Sequence, residues 1–282
     1  MTENEAAAAA IAVKDRRNLL VRIAAALVLA PAAILMAYLG GWTWAALVTL
    51  AAVGLYAEWL SIIGMTGRWQ AMSAGIAALI LIGWSLGQGH FQASLITLAL
   101  GLVVIGALAP ERPIWAASGF FYAATAQSAA ILMRMDPGHG LFALILILFV
   151  VWATDIGGYI AGRSIGGPKL WPRVSPNKTW AGAIGGFAAS LVVAYGFAAF
   201  RFAGTAPLLT LGALLSIAAQ FGDLFESAVK RRFGVKDSGR IIPGHGGLLD
   251  RLDGFVAAIV LAAIFGLLRG GVDGVGHGLM VW

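Results

Sequence analysis

The chain has 282 residues, 60% of them hydrophobic and only 11% charged, with a mean hydropathy of +0.87. That exceeds what a water-facing surface tolerates, so a soluble globular protein is excluded and a polytopic membrane protein remains. The net charge of +6 marks a cytoplasmic face in such a chain rather than a nucleic-acid surface, and the absence of cysteine excludes disulfides and thiolate metal sites, leaving oxygen or imidazole donors and hence a hard cation.

Residues 1–18 read as a polar cytoplasmic lead; a cleaved signal peptide is disfavoured because the apolar run that follows is long and has no polar cleavage region. A bilayer core of ~30 Å takes ~20 apolar residues per helix. That ruler predicts an all-α fold with about nine spans, near 19–39, 42–64, 70–87, 91–109, 113–133, 139–162, 181–203, 206–229 and 252–269. Glycine and proline punctuate the joints, among them Gly40-Gly41, Gly87-Gln88-Gly89, Pro110 to Pro113 and Gly204 to Pro207. Short cytoplasmic loops hold the Lys/Arg excess. With the N-terminus inside and strict alternation, 16 of the 19 basic residues fall inside, and only Arg134, Arg201 and Arg269 stay outside. A missed or spurious span would scatter them over both faces.

Residues 19–133 are expected to hold little beyond spanning helices, and 134–282 a catalytic region with two basic cytoplasmic loops. Glu58, the one carboxylate within a span of the first region, reads as a snorkelling or helix-packing residue near the inner face. No fixed-period repeat is visible, which disfavours an inverted-repeat transporter. Gly182 and Gly186 form a GxxxG pair suited to close helix packing.

Charge concentrates between Gln220 and Gly254. In a helix Asp223, Glu226, Ser227 and Lys230 share one face. Asp223 lies roughly two turns inside the charged edge, where an ionised acid requires a partner or a wet cavity. Glu226 and Lys230 are spaced for an i, i+4 ion pair. Asp250 and Asp253 open the last span, where acids also suit the positive end of a helix dipole. Capping therefore stands as one reading of them; the other is an all-oxygen pocket, shared with Asp223, of the kind Mg²⁺ accepts.

The intervening loop supplies Lys230, Arg231, Arg232, Lys236 and Arg240, then Pro243-Gly-His245-Gly-Gly. Cations and close backbone N–H groups are equipment for a polyphosphate, although the P-loop pattern is absent. His245 reads either as a phosphate donor or as a structural turn residue. The other basic loop carries Arg163, Lys169, Arg173 and, within Ser175-Pro-Asn177-Lys178-Thr179, a lysine flanked by polar donors. Asp155 beside it is either a buried ion-pair partner or a site residue.

These blocks resemble the phosphatidate cytidylyltransferases, or CDP-diacylglycerol synthases. Ser227, Lys230-Arg231, Lys236-Asp237, Pro243-Gly-His245-Gly-Gly and Asp250-Arg-Leu-Asp253 fill every place of that family's signature, and Asp155 through Gly162-Arg163 to Ser175-Pro-Asn-Lys178-Thr179 is similar to its second block. Ala181 stands where many relatives carry Glu, and no role is assigned there. The resemblance covers the C-terminal half closely. It implies transfer of a cytidylyl group from CTP to phosphatidic acid with Mg²⁺, in a homodimer of the inner cell membrane, with the site facing the cytoplasm. By residue match, Asp223 and Asp250 are metal ligands and, with Asp253 and Lys230, the catalytic group. Lys178, Ser175, Asn177, Ser227, Arg231, Lys236, His245 and Arg163 are the expected substrate-binding set. A membrane lipid kinase, a cytidylyltransferase for another lipid phosphate, and an ion-coupled transporter using Asp155 and Asp223 are the competing readings.

Overall fold

The computed structural model describes residues 31–200, 204–239 and 246–282. A helical stretch over 31–39 (α1) is followed by α2 (Gly41–Ile62), α3 (Trp69–Gly87), α4 (Phe91–Leu108), α5 (Pro113–Met135) and α6 (Gly140–Ser164). A small antiparallel hairpin, β1 (Lys169–Trp171) with β2 (Ser175–Thr179), precedes α7 (Trp180–Ala199), α8 (Thr205–Arg232), α9 (Leu249–Gly270) and a short α10 (Val275–Met280). The chain is a multi-pass, all-α membrane protein.

Among the described residues seven helices, α2, α3, α4, α6, α7, α8 and α9, are long and apolar enough to cross a membrane. The expected count was nine. Most of the first span lies outside the described residues. The predicted span at 113–133 is a helix of 23 residues, α5, but too polar to qualify. Its buried positions include Ala116, Gly119, Ala123, Ala124, Gln127 and Ala130, so protein surrounds much of it, and small or polar side chains replace the greasy ones that lipid demands. α4 is the opposite case: Leu95, Ile96, Leu100, Val103 and Val104 stay exposed as a lipid-facing surface.

The helices begin and end where turn chemistry requires. Gly40 adopts φ +66 between α1 and α2, which suits a residue without Cβ, and the Arg134 guanidinium packs directly against it. Pro113 opens α5 at a position where its missing N–H costs nothing. Thr179 caps α7, its Oγ1 accepting from Gly182 N at 3.1 Å.

Small residues then set the helix spacing around the charged region. A Cβ on Gly182 of α7 would lie 2.9 Å from Gly158 O of α6, and one on Gly158 only 3.3 Å from Gly182 O. The GxxxG expectation is met: α6 and α7 touch backbone to backbone. On the next contact, a Cβ at Gly222 of α8 would come 2.5 Å from Asp253 O of α9. Asp223 and Asp253, each beside such a contact, are thereby carried on closely apposed helices.

Candidate active site

At one end of the bundle the last turns of α6 and α8, the first turns of α7 and α9, and the hairpin enclose a cavity of about 860 Å³. Asp155, Asp223, Glu226, Asp250 and Asp253 line it together with Arg163, Lys178, Lys230 and Arg251. The three acids singled out on α8 and α9 line one cavity. Five carboxyl groups thus stand against four basic side chains in one cavity.

Two lysines organise these charges. Lys178 was expected in a loop; it sits on β2, whose register sets Lys169 against Thr179 and Trp171 against Ser175, and it forms an ion pair with Asp223. Both side chains are about a third exposed, 29% and 34%, so the pair faces the open cavity. Lys230 is held more tightly. Its Nζ lies 2.6 Å from Glu226 Oε2 and 2.6 Å from Asp250 Oδ1, joining α8 to the start of α9. The predicted i, i+4 pair is present, with a second acid added across the helix boundary. Asp250 also accepts from Ser238 N at 3.1 Å and from Gly247 N at 3.1 Å. Reaching back to an N–H before its own helix, it combines the capping reading with a place in the cavity.

Asp155, Asp223 and Asp253 lie within electrostatic range of one another and of Lys178. Glu226 Oε1 is buried and takes no hydrogen bond among the described residues. Tyr122 Oη, likewise unpartnered, is within electrostatic range of Asp253 and Glu226. Among the described residues no three Asp, Glu, His or Cys form a ready-made metal cage. Mg²⁺ does not depend on such a cage, since it binds through one or two carboxylates and keeps its remaining positions for water and substrate phosphates. The carboxylates of the lining, with the unpartnered Glu226 oxygen among them, are oxygen donors of the kind that ion takes.

Asn177 and Arg163 also line the cavity, Arg163 donating to Tyr159 Oη at 2.9 Å one turn back on α6. Ser175 at the start of β2 and Ser227 on α8 are half-buried and outside the lining; Arg231, which donates to Val235 O, and Lys236 are exposed and also outside it. His245 lies outside the described residues. Sequence reasoning had not assigned Thr154, Tyr159, Gln220 or Arg251 to the site, all of which line it.

Of the two readings of Glu58, snorkelling and helix packing, the structure shows the second and rules out the first. Glu58 is 3% exposed and accepts from Ser238 Oγ at 3.0 Å, Leu248 N at 2.9 Å and Leu249 N at 2.8 Å. A signal existed: it is an ionisable residue inside a span, the feature that drew attention to Asp223. Its partners, one serine hydroxyl and two backbone N–H groups, lie 180 to 191 residues away, which no local pattern reveals.

Comparison with known proteins gives the family to which the chain is similar. The model described as "Cytidylyltransferase family" matches residues 20–268. The chain is 46% identical over 199 residues to the phosphatidate cytidylyltransferase of Brucella suis biovar 1 (strain 1330), a match covering 69% of this chain and 63% of that relative. It is 50% identical over 128 residues to the phosphatidate cytidylyltransferase of Staphylococcus saprophyticus, covering 45% of this chain and 49% of the relative. Against that of Haemophilus influenzae the figures are 46% over 138 residues, 46% and 47%. The match thus spans between about half and three fifths of these curated relatives' length.

Proposed function

The chain belongs to the cytidylyltransferase family, and from that premise we propose that it transfers the cytidylyl group of CTP to phosphatidic acid, giving CDP-diacylglycerol and pyrophosphate. The observation that carries the reading is the cavity itself: two lysines, each already paired with a carboxylate, stand in an acid-rich pocket at one end of a membrane bundle.

In this reading an oxygen of the lipid phosphate attacks the α-phosphorus of CTP, the bond to the bridging oxygen of the β-phosphate breaks, and pyrophosphate leaves in line. No covalent enzyme intermediate forms, so the protein's work is positioning and charge neutralisation. Asp223 and Asp250 would hold Mg²⁺, with Asp253 and Asp155 completing the acidic group; the bound ion would supply charge neutralisation at the phosphates. Lys178, drawn partly off Asp223, and Lys230, kept oriented by Glu226 and Asp250, would donate to phosphate oxygens. Arg163 and Asn177 would meet the nucleotide or lipid headgroup from the α6 and hairpin side. Ser175, Ser227, Arg231 and Lys236, outside the lining, and His245, outside the described residues, remain proposed substrate contacts.

The same reading places the cavity on the cytoplasmic side of the cell membrane, supported by the 16 basic residues assigned to that face, where CTP is available. A membrane-embedded acidic site also suits a substrate whose acyl chains stay in the bilayer. Homodimeric association belongs to the proposal. Purified protein supplied with CTP, Mg²⁺ and phosphatidic acid is the test: formation of a CDP-lipid with stoichiometric pyrophosphate supports it. Release of CDP with phosphorylation of a lipid alcohol would replace it with a kinase.

A further inference from the structure

We propose that Glu58 is a positioning residue for Asp250 and Lys230: a carboxylate on α2 that fixes the segment leading into α9 and so sets the catalytic end of the cavity. The inference rests on the reading above that Asp250 and Lys230 handle substrate.

Glu58 is buried, and among the described residues no basic side chain forms an ion pair with it. A buried carboxylate without a counter-ion is costly unless hydrogen bonds satisfy it. Here two backbone N–H groups at the start of α9 and the Ser238 hydroxyl do so, assisted by the positive end of that helix. The chain closes tightly around it: a Cβ on Gly239 would lie 2.5 Å from Glu58 Oε1, and one on Gly247 2.7 Å from Oε2.

Glu58 and Asp250 share Ser238 and otherwise hold consecutive residues of one short segment. Ser238 gives its hydroxyl to Glu58 and its N–H to Asp250; Gly247 donates to Asp250, and the next two residues donate to Glu58. Asp250 then holds Lys230, and Lys230 holds Glu226. The contacts run continuously from α2 through residues 238–239 and 246–249 to the two charges in the cavity. Glu58 touches no cavity atom itself and acts through backbone.

A carboxylate is required because its three partners among the described residues all donate to it. Gln offers one acceptor oxygen, and in either orientation its NH₂ would face a backbone N–H, that of Leu248 or that of Leu249, so Glu58→Gln preserves volume while breaking the grip. Glu58→Asp keeps the charge on a shorter arm.

The experiment compares wild type, Glu58→Gln, Glu58→Asp and Ser238→Ala in detergent, measuring CTP- and phosphatidate-dependent turnover and amide hydrogen exchange without substrate. Expected are a 10- to 100-fold fall in kcat for Glu58→Gln, on the order of one lost charge-assisted contact, with KM for CTP within about threefold of wild type. Glu58→Asp recovers part of the loss, Ser238→Ala loses less than Glu58→Gln, and exchange quickens at residues 246–250 while α3 and α4 stay protected. Wild-type kcat in Glu58→Gln, unchanged exchange at 246–250, or uniform deprotection of the bundle would overturn the proposal. Wild type that turns over neither substrate rejects the assigned reaction instead, and the exchange comparison still reports whether Glu58 fixes this segment.

Discussion

The two ends of the bundle use charge in opposite ways. At the end away from the cavity, Asp136 Oδ1 accepts from Gly138 N and His139 N, each at 2.9 Å, and Oδ2 from His277 N at 2.6 Å. Arg134 donates to the carbonyls of Ala37 and Tyr38, and Arg269 to those of Gly278 and Val281. These charges close backbone groups that helix ends leave open. At the cavity end, lysines face carboxylates instead, Lys178 with Asp223 and Lys230 with Glu226 and Asp250. A pair of side chains facing a cavity can exchange partners when an anion or cation arrives, more readily than a charge bonded only to main chain. Glu58 belongs to the first type by its bonding and to the second end by its place, and so links the two uses.

The comparison breaks hardest at Asp223 and Asp250. Asp223→Asn and Asp250→Asn are each expected to remove nearly all turnover, at least about a hundredfold as for the loss of a preorganised electrostatic group, while the protein still elutes as a folded species. Near-normal CDP-lipid formation in either variant would reject that residue as a ligand. The Mg²⁺ requirement supplies the companion test: chelation should abolish activity and readdition restore it.

The lysines give the next effect and separate two kinds of pair. Lys178→Met removes one charge-assisted contact from a partly exposed site, an expected loss of about one to two decades in kcat/KM, equivalent to ~1.5–3 kcal/mol, with little change in Tm. Lys230→Met loses activity to a similar degree and in addition leaves Glu226 and Asp250 without their shared cation. Because the Lys230 side chain is 11% exposed and that of Glu226 2%, destabilisation of about 3–5 kcal/mol is expected as well. Equal Tm values for the two variants would mean that the Lys230 pairs are as solvated as the Lys178 pair.

Much of this was legible before any coordinates. Apolar runs bounded by glycine and proline placed α2, α3, α4 and α6 within about two residues of their ends, because lipid fixes both length and composition. The i, i+3, i+7 spacing placed Asp223, Glu226 and Lys230 on one face, because helical periodicity is local. α5 was legible as a helix but not as one shielded by its neighbours, since burial in protein is a tertiary fact. The same limit hid Glu58: its cost inside the membrane is visible in the sequence, but the Leu248 and Leu249 amides that offset it are not. Nor could spacing distinguish Ser227, outside the lining, from Asp223, within it, since both satisfy the same helical face.

The smallest effect on turnover, and the cleanest contrast, is expected at Asp136. Burial works against its ionised form, yet the hydrogen bonds from His139, His277 and Gly138 N–H outweigh that cost and hold the carboxyl below its ordinary range. A group whose pKa is lowered on folding stabilises the fold above the unfolded-state value, about pH 4, and that contribution is lost as pH falls through the lowered folded-state value. In Asp136→Asn one acceptor becomes an NH₂ facing a backbone N–H, so a loss of about 1–3 kcal/mol is expected at neutral pH. CDP-lipid formation measured well below Tm should stay at the wild-type rate, because Asp136 lies at the far end from the cavity. The Tm gap between wild type and variant should be full from pH 5 to pH 8 and narrow below about pH 4 as the wild-type carboxyl takes up its proton. A gap independent of pH would show that Asp136 contributes by shape rather than charge, and a fall in turnover would show that the two ends are coupled.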